Sequence, residues 1–304
     1  MITHHEGPYE IAPGLYQLGN SSVPCFLLDA PQPALFDAGF ACLTQSYLDD
    51  ARRILGERTP AWLFLSHVHF DHCGAAGWLK EAWPEMRIMA APKAAKIITR
   101  PNALKLIAQL NQAAAQDYFT AGGTRRSPHE FTPFALDGTV DDGDEIDLGG
   151  GIKVRVLATP GHTWDMLNFY VPSKRILFAS EAVGTDAPGG YIVSEFLVSY
   201  DAYMESLARL NDLEVDTLCP GHHAVHTGPA AKKHIGRGMA SAEQFREWVL
   251  RLLAQEEGDQ ERVVELVRMG EYDHRTGPKQ PLPAYMLNLQ ARVATLAREA
   301  GYTV

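Results

Sequence analysis

The sequence lacks the features that mark several protein classes. Cysteine is scarce: four residues in 304, Cys25, Cys42, Cys73 and Cys219, widely spaced and with no CxxC pair. That excludes a disulfide scaffold and points to a reduced, cytoplasmic protein. No apolar run approaches the ~20 residues of a membrane helix. The opening MITHHEGPYE has no basic stretch leading into an apolar core, so no secretory signal is expected. Basic residues are in deficit, with 27 Lys and Arg against 37 Asp and Glu, a net charge of −10. An acidic chain without a basic block is a poor partner for a phosphate backbone, so nucleic acid is not an expected ligand. Low-complexity segments and residue-level repeats are absent too. The rest is ordinary globular composition, 46% hydrophobic and 21% charged, and the length suits one large α/β domain or two smaller ones. What the chain does have is histidine: twelve residues, several of them in short clusters.

Periodicity gives a coarse order of elements. Residues 13–38 read as short strands bounded by Gly and Pro, and residues 44–55 have helical spacing. Ala61–Ser66 (AWLFLS) is a continuous apolar strand, long enough to be buried on both faces. A helix is predicted from about Gly74 to before Pro84, then a strand at Met86–Ala90. Leu104, Ile107, Ala108, Leu110 and Ala114 form a helical stripe, read as an insertion over about 100–121 that Gly122-Gly123 stops. Strand patterns return at Lys153–Thr159, Met166–Val171 and Arg175–Ser180, followed by a helix near 201–211 and a short strand at Val215–Cys219. From about 240 the pattern is helical only. Two similar halves of this kind can pack sheet on sheet with helices outside, an α/β fold in four layers. The expected division is a core over 1–238 and a helical extension over 239–304.

The histidines cluster where strands end. His67-Val68-His69-Phe70-Asp71-His72 sets four potential metal ligands in six residues, directly after the buried strand. A strand holds its end rigidly, and the following turn can point alternate side chains into one cavity. Imidazole with carboxylate suits zinc, iron and manganese alike. Three more strands end in a single ligand-type residue: KVRVLAT runs into Pro160-Gly161-His162, RILFAS into Glu181, and DTLC into Pro220-Gly221-His222. A lone histidine after Pro-Gly is usually a plain loop residue; two of them beside the first cluster imply a site assembled from strand ends.

These motifs, SHVHFDHCGAAG, TPGHT, FASEAVG and PGHH, resemble in order the metal motifs of the metallo-β-lactamase superfamily, over about residues 10–235. The branch most resembled is that of glyoxalase II and related thioesterases. The insertion and the helical tail, with VPCFLL, LFASEAVG and MESLARL, resemble the quinolone-signal-response thioesterase subgroup, whose extra helices partly cover the active site. The resemblance implies a four-layer αβ/βα sandwich and two divalent metal ions, zinc first, with iron or manganese as alternatives. His67, His69 and His162 would hold one ion; Asp71, His72 and His222 the other. Glu181 stands where the family normally has a bridging Asp, so it would bridge or bind a single ion. Asp37, in LFDAG, matches a structural Asp that supports the ligand loop. The implied activity is hydrolysis of a small ester-type bond, thioester favoured, by a metal-bound hydroxide that Asp71 orients and relieves of its proton.

Other features carry less. Cys73 and Cys219 read as small buried neighbours of the site rather than soft ligands. His223 should point away from a ligand at 222, and His226 is a candidate substrate or supporting residue. His4, His5, His129, His234 and His274 have no ligand context and are assigned to the surface or to hydrogen bonding. The stripes Phe245, Trp248, Leu252, Leu253 and Val263, Val264, Leu266, Val267 pack on the core, or form a lid that selects an acyl group, with Tyr191, Phe196, Tyr285 and Met286 lining the entry. Alternative readings are an iron redox enzyme of the same fold, or a metal-bound regulatory protein acting through its tail. The expected partner is a small molecule, without nucleic acid or membrane; a homodimer is allowed. Antibiotic hydrolysis is not expected, since no export signal is present.

Overall fold

The computed structural model describes residues 7–120, 130–276 and 279–302. Its first sheet has seven strands in sequence order: β1 (Tyr9–Ala12), β2 (Leu15–Leu18), β3 (Cys25–Leu28), β4 (Ala34–Phe36), β5 (Trp62–Phe64), β6 (Arg87–Ala90) and β7 (Gly138–Thr139). β1 to β4 pair antiparallel through short turns. β4 to β7 pair parallel, with helices as crossovers. The second sheet contains β8 (Glu145–Asp147), β9 (Lys153–Ala158), β10 (Leu167–Val171), β11 (Ile176–Ser180), β14 (Thr217–Pro220) and β15 (His226–Thr227), in the order β15-β14-β11-β10-β9-β8. A separate hairpin joins β12 (Thr185–Ala187) to β13 (Tyr191–Val193).

The helices lie in chain order between and after these strands. They are α1 (Thr44–Leu55), α2 (Phe70–Cys73), α3 (Ala76–Ala82), α4 (Pro92–Ile97), α5 (Pro101–Thr120), α6 (Tyr200–Asn211), α7 (Pro229–Gln255), α8 (Gln260–Val267) and α9 (Leu282–Glu299). A six-residue π-helical turn, Arg268–Asp273, follows α8. Local chemistry sets several of these ends. Gly56, at φ 62°, closes α1. Ser199 Oγ caps α6 by accepting from Ala202 N (3.3 Å), and Asp259 caps α8 by accepting from Arg262 N (3.0 Å).

Two buried apolar clusters produce the layering. One lies between the sheets, where Phe36 of β4 stacks on Phe178 of β11 with ring centroids 3.6 Å apart, and it extends beneath α1 and α3. The other joins the outward face of β10, β11 and β14 to α6, α7, α8 and α9. β10 and β11 are buried at every residue because both of their faces are covered. The expected αβ/βα sandwich with a helical C-terminal region is therefore the observed fold.

Several sequence-based boundaries shift. The helix predicted from Gly74 begins at Phe70 and breaks before Ala76, so Asp71 and His72 sit on a short helix rather than in a loop. α7 starts at Pro229 and runs through the 238/239 boundary, so the extension is rooted in the core. The stripes expected on the tail face inward: Phe245, Leu253, Val263 and Val267 are buried in the second cluster, with Trp248 and Leu252 packed against it. α5 covers the predicted insertion, but its expected stop at Gly122-Gly123 lies outside the described residues. No described helix is long and apolar enough to cross a membrane.

The extension is fixed by a buried ion pair. Arg292 on α9 grips Glu271 with both ends of its guanidinium, Nη1 to Oε1 at 3.1 Å and Nη2 to Oε2 at 2.6 Å. Tyr191 and Tyr285 each donate a hydroxyl to the same carboxylate, at 2.8 and 2.7 Å. Burial opposes ionisation of Glu271, yet Arg292 and these donors hold its carboxyl below the usual carboxylate range. Such a depressed group contributes stability that is present above the ordinary carboxylate pKa and lost as pH falls through the acid range. Replacing Arg292 by Ala strands the Glu271 charge in the interior and is expected to cost about 3–5 kcal/mol, read as a lowered urea midpoint at pH 7.

Candidate metal centre

The strand ends of both sheets meet at one edge. β4 delivers Asp37, β5 delivers Ser66 and His67, and α2 turns back at once to present Asp71 and His72. From the second sheet, β9 leads to His162, β11 to Glu181 and β14 to His222. The two Pro-Gly-His sequences have a packing reason for their glycines. A Cβ on Gly161, at φ +135°, would lie 2.4 Å from the Tyr203 Cα. A Cβ on Gly221 would lie 2.4 Å from Glu181 Oε1, inside the ligand cluster itself.

All seven ligand-type residues named from sequence come together. Ligand atoms of His67, His69 and His162 lie within 4.8 Å of one another, as do those of Asp71, His72 and His222, and those of His67, His72 and Glu181. His162 Nε2 is 3.2 Å from His69 Nδ1. His222 Nε2 is 3.6 Å from Asp71 Oδ2, and His72 Nε2 is 3.9 Å from it. Glu181 spans the two groups: Oε1 lies 2.7 Å from His72 Nε2 and 2.9 Å from His222 Nε2, and Oε2 lies 3.8 Å from His67 Nε2.

Partners behind the rings fix which nitrogen faces the cluster. His162 Nδ1 donates to the Glu195 carbonyl (2.6 Å), His222 Nδ1 to the Ser22 carbonyl (2.8 Å) and His72 Nδ1 to Asp37 Oδ2 (2.8 Å). A carbonyl and a carboxylate can only accept, so each Nδ1 carries the proton and leaves Nε2 turned inward. Ser66 Oγ donates to Asp37 Oδ2 at 2.9 Å, and so accepts from His67 Nδ1 at 3.0 Å. Asp37 also accepts from Ser66 N at 2.7 Å. It therefore holds the start of the ligand loop and one ring together, the supporting role its sequence context implied. Asp37 does so at φ 59°, a conformation that Asp tolerates better than most residues.

The electrostatics divide the two groups. Burial drives His67 well below the ordinary imidazole value, lowers His69 and takes His162 down to about 4, so these are neutral donors. Burial also opposes protonation of His72 and His222, but the carboxylates win: His222 rises to about 9 against Glu181, and His72 well above its usual value against Glu181 and Asp37. Burial opposes the charge on Glu181 in turn, and His72 and His222 hold it ionised, well below the usual range. His67 Nε2, His72 Nε2 and Glu181 Oε1 are buried yet make no hydrogen bond of good geometry. Inward-facing imidazole nitrogens around an unsatisfied carboxylate oxygen, without a thiolate, are a donor set that fits divalent ions of the zinc, iron and manganese group.

The remaining expectations divide. Cys73 and Cys219 are buried outside every ligand group, and burial pushes both thiols up. Tyr285 lines a narrow cleft beside the centre with Asp186, Glu195, His223, Tyr272 and Arg275. Phe196 does not line the entry; it is fully buried, packed edge-on against Tyr200 and Phe245. His234, expected at the surface or in a hydrogen bond, is 1% exposed, and neither ring nitrogen makes a well-formed hydrogen bond among the described residues. His274 is exposed, and its ring contacts the Met269 carbonyl. His4, His5 and His129 lie outside the described residues.

Two residues near the centre escaped the sequence reading. Asp165 Oδ2 accepts from Val68 N (3.1 Å) and steadies the ligand loop; its place three residues after His162, in TPGHTWD, was a usable signal. Glu195 carries no local signal. Its carbonyl orients His162, and burial pushes its carboxyl up to about 7, with Arg292 opposing and Glu181 reinforcing the rise.

A family model described as metallo-beta-lactamase superfamily matches residues 19–222. A hydroxyacylglutathione hydrolase of Ruegeria pomeroyi is 27% identical over 195 residues, 64% of this chain and 58% of that protein. A beta-lactamase-like protein 2 homolog of Caenorhabditis elegans is 35% identical over 86 residues, 28% of this chain and 27% of its own length. The chain thus spans less than two thirds of these relatives. Among solved structures, a metallo-beta-lactamase family protein of Thermus thermophilus superposes with TM-score 0.62 at 19% identity, covering 96% of this chain and 95% of that one. The sec-alkylsulfatase of a Pseudomonas species superposes with TM-score 0.70 at 15% identity, covering 98% of this chain and 51% of that one. At such identities the likeness is one of fold.

Asp37 gives a test that needs no metal. Asp37→Asn keeps the positive-φ tolerance but offers an amide N–H2 where Ser66 or His72 needs an acceptor. The expected loss is about 1–3 kcal/mol of unfolding free energy, measured by urea denaturation of chelator-treated protein.

Proposed function

The chain belongs to the metallo-beta-lactamase superfamily, and on that premise we propose that it is a metal-dependent hydrolase of small ester-type bonds, with thioesters the favoured class. One observation carries the reading: six ligand-type side chains from both sheets converge around Glu181, whose two oxygens face different histidine groups. The relatives named hydroxyacylglutathione hydrolase support the choice of thioester.

His67, His69 and His162 would hold one divalent ion, and Asp71, His72 and His222 the second, with Glu181 between them. Such ions, zinc first among them, supply an acidified water and polarise the scissile carbonyl. The chain's own contribution is positional. Asp37, Ser66, Ser22 and Glu195 lock four rings with their free nitrogens inward. Asp71, its side chain 17% exposed, is among the most open of the charged ligands, and its carboxylate is placed to orient a water and take its proton. The cleft beside the centre, with Arg275 and Tyr285 in its wall, is where an acyl or thiol portion would lie.

Three measurements test this. Elemental analysis of protein purified without added metal is expected to give at least two ions per chain, in equal amount in wild type and in Glu181→Asp. One ion in wild type and two in the variant would reduce the reading to a mononuclear centre; iron in place of zinc would favour redox chemistry. Asp71→Asn is expected to lower turnover of an acyl thioester about 10²–10⁴-fold, and His69→Ala to abolish it. Failure of metal-loaded protein to cleave any thioester, lactone or phosphoester in a broad panel would refute the activity.

The third is a pH dependence. In the metal-free state His222 holds its proton up to about 9 and His72 is likewise raised. An ion must displace these protons, so affinity for the second ion should rise with pH below 9. Each displaced proton gives about tenfold per pH unit, checked by competition with a chromophoric chelator between pH 6.5 and 8.

A further inference from the structure

A second cluster of ligand-type side chains lies outside this centre. Asp186 comes from β12, His226 from β15 and His234 from α7. Asp186 Oδ2 is 2.7 Å from His226 Nε2 and 3.7 Å from His234 Nδ1. The two imidazole rings stack at 4.2 Å and 29°. The three ligand atoms all lie within 4.8 Å of one another. None of the three belongs to the motifs that match the family pattern.

His234 is the anomaly. It is 1% exposed, and neither its Nδ1 nor its Nε2 makes a well-formed hydrogen bond among the described residues, although the Val183 carbonyl approaches the ring. A buried imidazole has at least one N–H to donate, and leaving both nitrogens poorly satisfied is costly when an apolar side chain would fill the same space. The carboxylate beside it has its side chain only 10% exposed, and His226 only 16%. Surface solvation therefore does not account for the group. Two imidazoles and one carboxylate contributed by three separate elements form a nitrogen-rich donor set of the kind that binds divalent transition ions.

We propose that Asp186, His226 and His234 form a further metal site that takes one divalent transition ion of the zinc class. Its consequence is mechanical. The β12–β13 hairpin borders the cleft beside the dinuclear cluster through Thr185, Asp186, Ala187 and Val193. Apart from the triad, α7 holds this hairpin through Arg237 donating to the Gly190 carbonyl and Ser241 donating to the Ile192 carbonyl. An ion at the triad would clamp the opposite strand of the hairpin to α7 and to β15. The guanidinium of Arg237, one turn from His234, is a neighbouring positive charge; the Asp186 carboxylate offsets it.

The test counts ions and does not depend on catalysis. Chelator-stripped wild type, His226→Gln and His234→Gln are reloaded with zinc alone, desalted and analysed for metal per chain. Each variant is expected to hold one equivalent fewer than wild type. His226→Gln keeps the reading possible if the buried His234→Gln does not fold. Cobalt supplies the second readout: the wild-type minus His226→Gln absorption difference should contain the visible bands of a single nitrogen- and oxygen-ligated Co(II). Equal zinc content in wild type and His226→Gln, or a featureless cobalt difference, would overturn the proposal and leave a hydrogen-bonded Asp186–His226 pair beside His234. Because the comparison is between variants outside the dinuclear cluster, a lost equivalent is expected whether or not the proposed hydrolase activity is found.

Discussion

The carboxylate of Glu181 is 4% exposed at the point where the two sheets meet, and the geometry of the centre follows from its need for compensating charge. An ionised carboxylate in the interior is expensive unless positive groups and donors surround it. Here Ser180 Oγ donates to Oε2 at 2.7 Å, and His72 and His222 crowd Oε1. Each of those imidazoles is anchored from behind by a different part of the chain, Asp37 after β4 and the Ser22 carbonyl between β2 and β3. The requirement of one side chain thus ties four strand ends into a rigid edge. Protons on two histidines, or cations among the ligands, would satisfy the same electrostatic demand.

The same residue explains how a Glu fits where relatives of this fold are expected to carry the shorter Asp. The extra methylene needs room, and two backbone features provide it. Ser180, at φ 47°, turns the chain sharply as β11 ends, so Glu181 opens a short helical turn instead of continuing the strand. Gly221 offers no Cβ, and an atom there would lie only 2.4 Å from Glu181 Oε1. The glycine of the second Pro-Gly-His motif is therefore matched to the length of the carboxylate opposite.

These relations set what could be read from the sequence alone. The ligands were legible because their motifs follow buried strands, and strand ends are fixed by patterns two to six residues long. The sandwich followed from the same strands. What stayed hidden depends on contacts across the chain. The turn that carries Asp71 and His72 is only four residues long; Asn111 on α5 supports it from 41 residues away, donating to the Phe70 carbonyl at 2.9 Å. Phe196 read as a pocket residue because an aromatic side chain near a site is ambiguous until its neighbours Tyr200 and Phe245 are in place. Glu195, and the pairing of Asp186 with His226 and His234, join residues 33 to 48 positions apart with no periodic signal between them.

The helical extension borders the cleft through a small part of its length. Most of α7, α8 and α9 is committed to the second apolar cluster, whose other wall is β10, β11 and α6, so those helices cannot swing away without opening the core. The cleft instead takes Glu271, Tyr272, Arg275, Lys279 and Tyr285 from the π-helical turn, the chain after it and the start of α9. Glu271 serves both parts. Its carboxylate is spent on Arg292, Tyr191 and Tyr285, while its carbonyl accepts from Arg275 Nε at 2.8 Å and holds that guanidinium over the Tyr191 ring. Replacing a buried ion pair of this kind by apolar residues often leaves stability unchanged or improved, so stability alone is weak grounds for its presence. Its geometric effect is to set the register between α9, the β12–β13 hairpin and the basic residues facing the cleft. In a chain of net charge −10, Arg275 and Lys279 thus add positive charge to a cleft wall that also carries Asp186, Glu195 and Glu271.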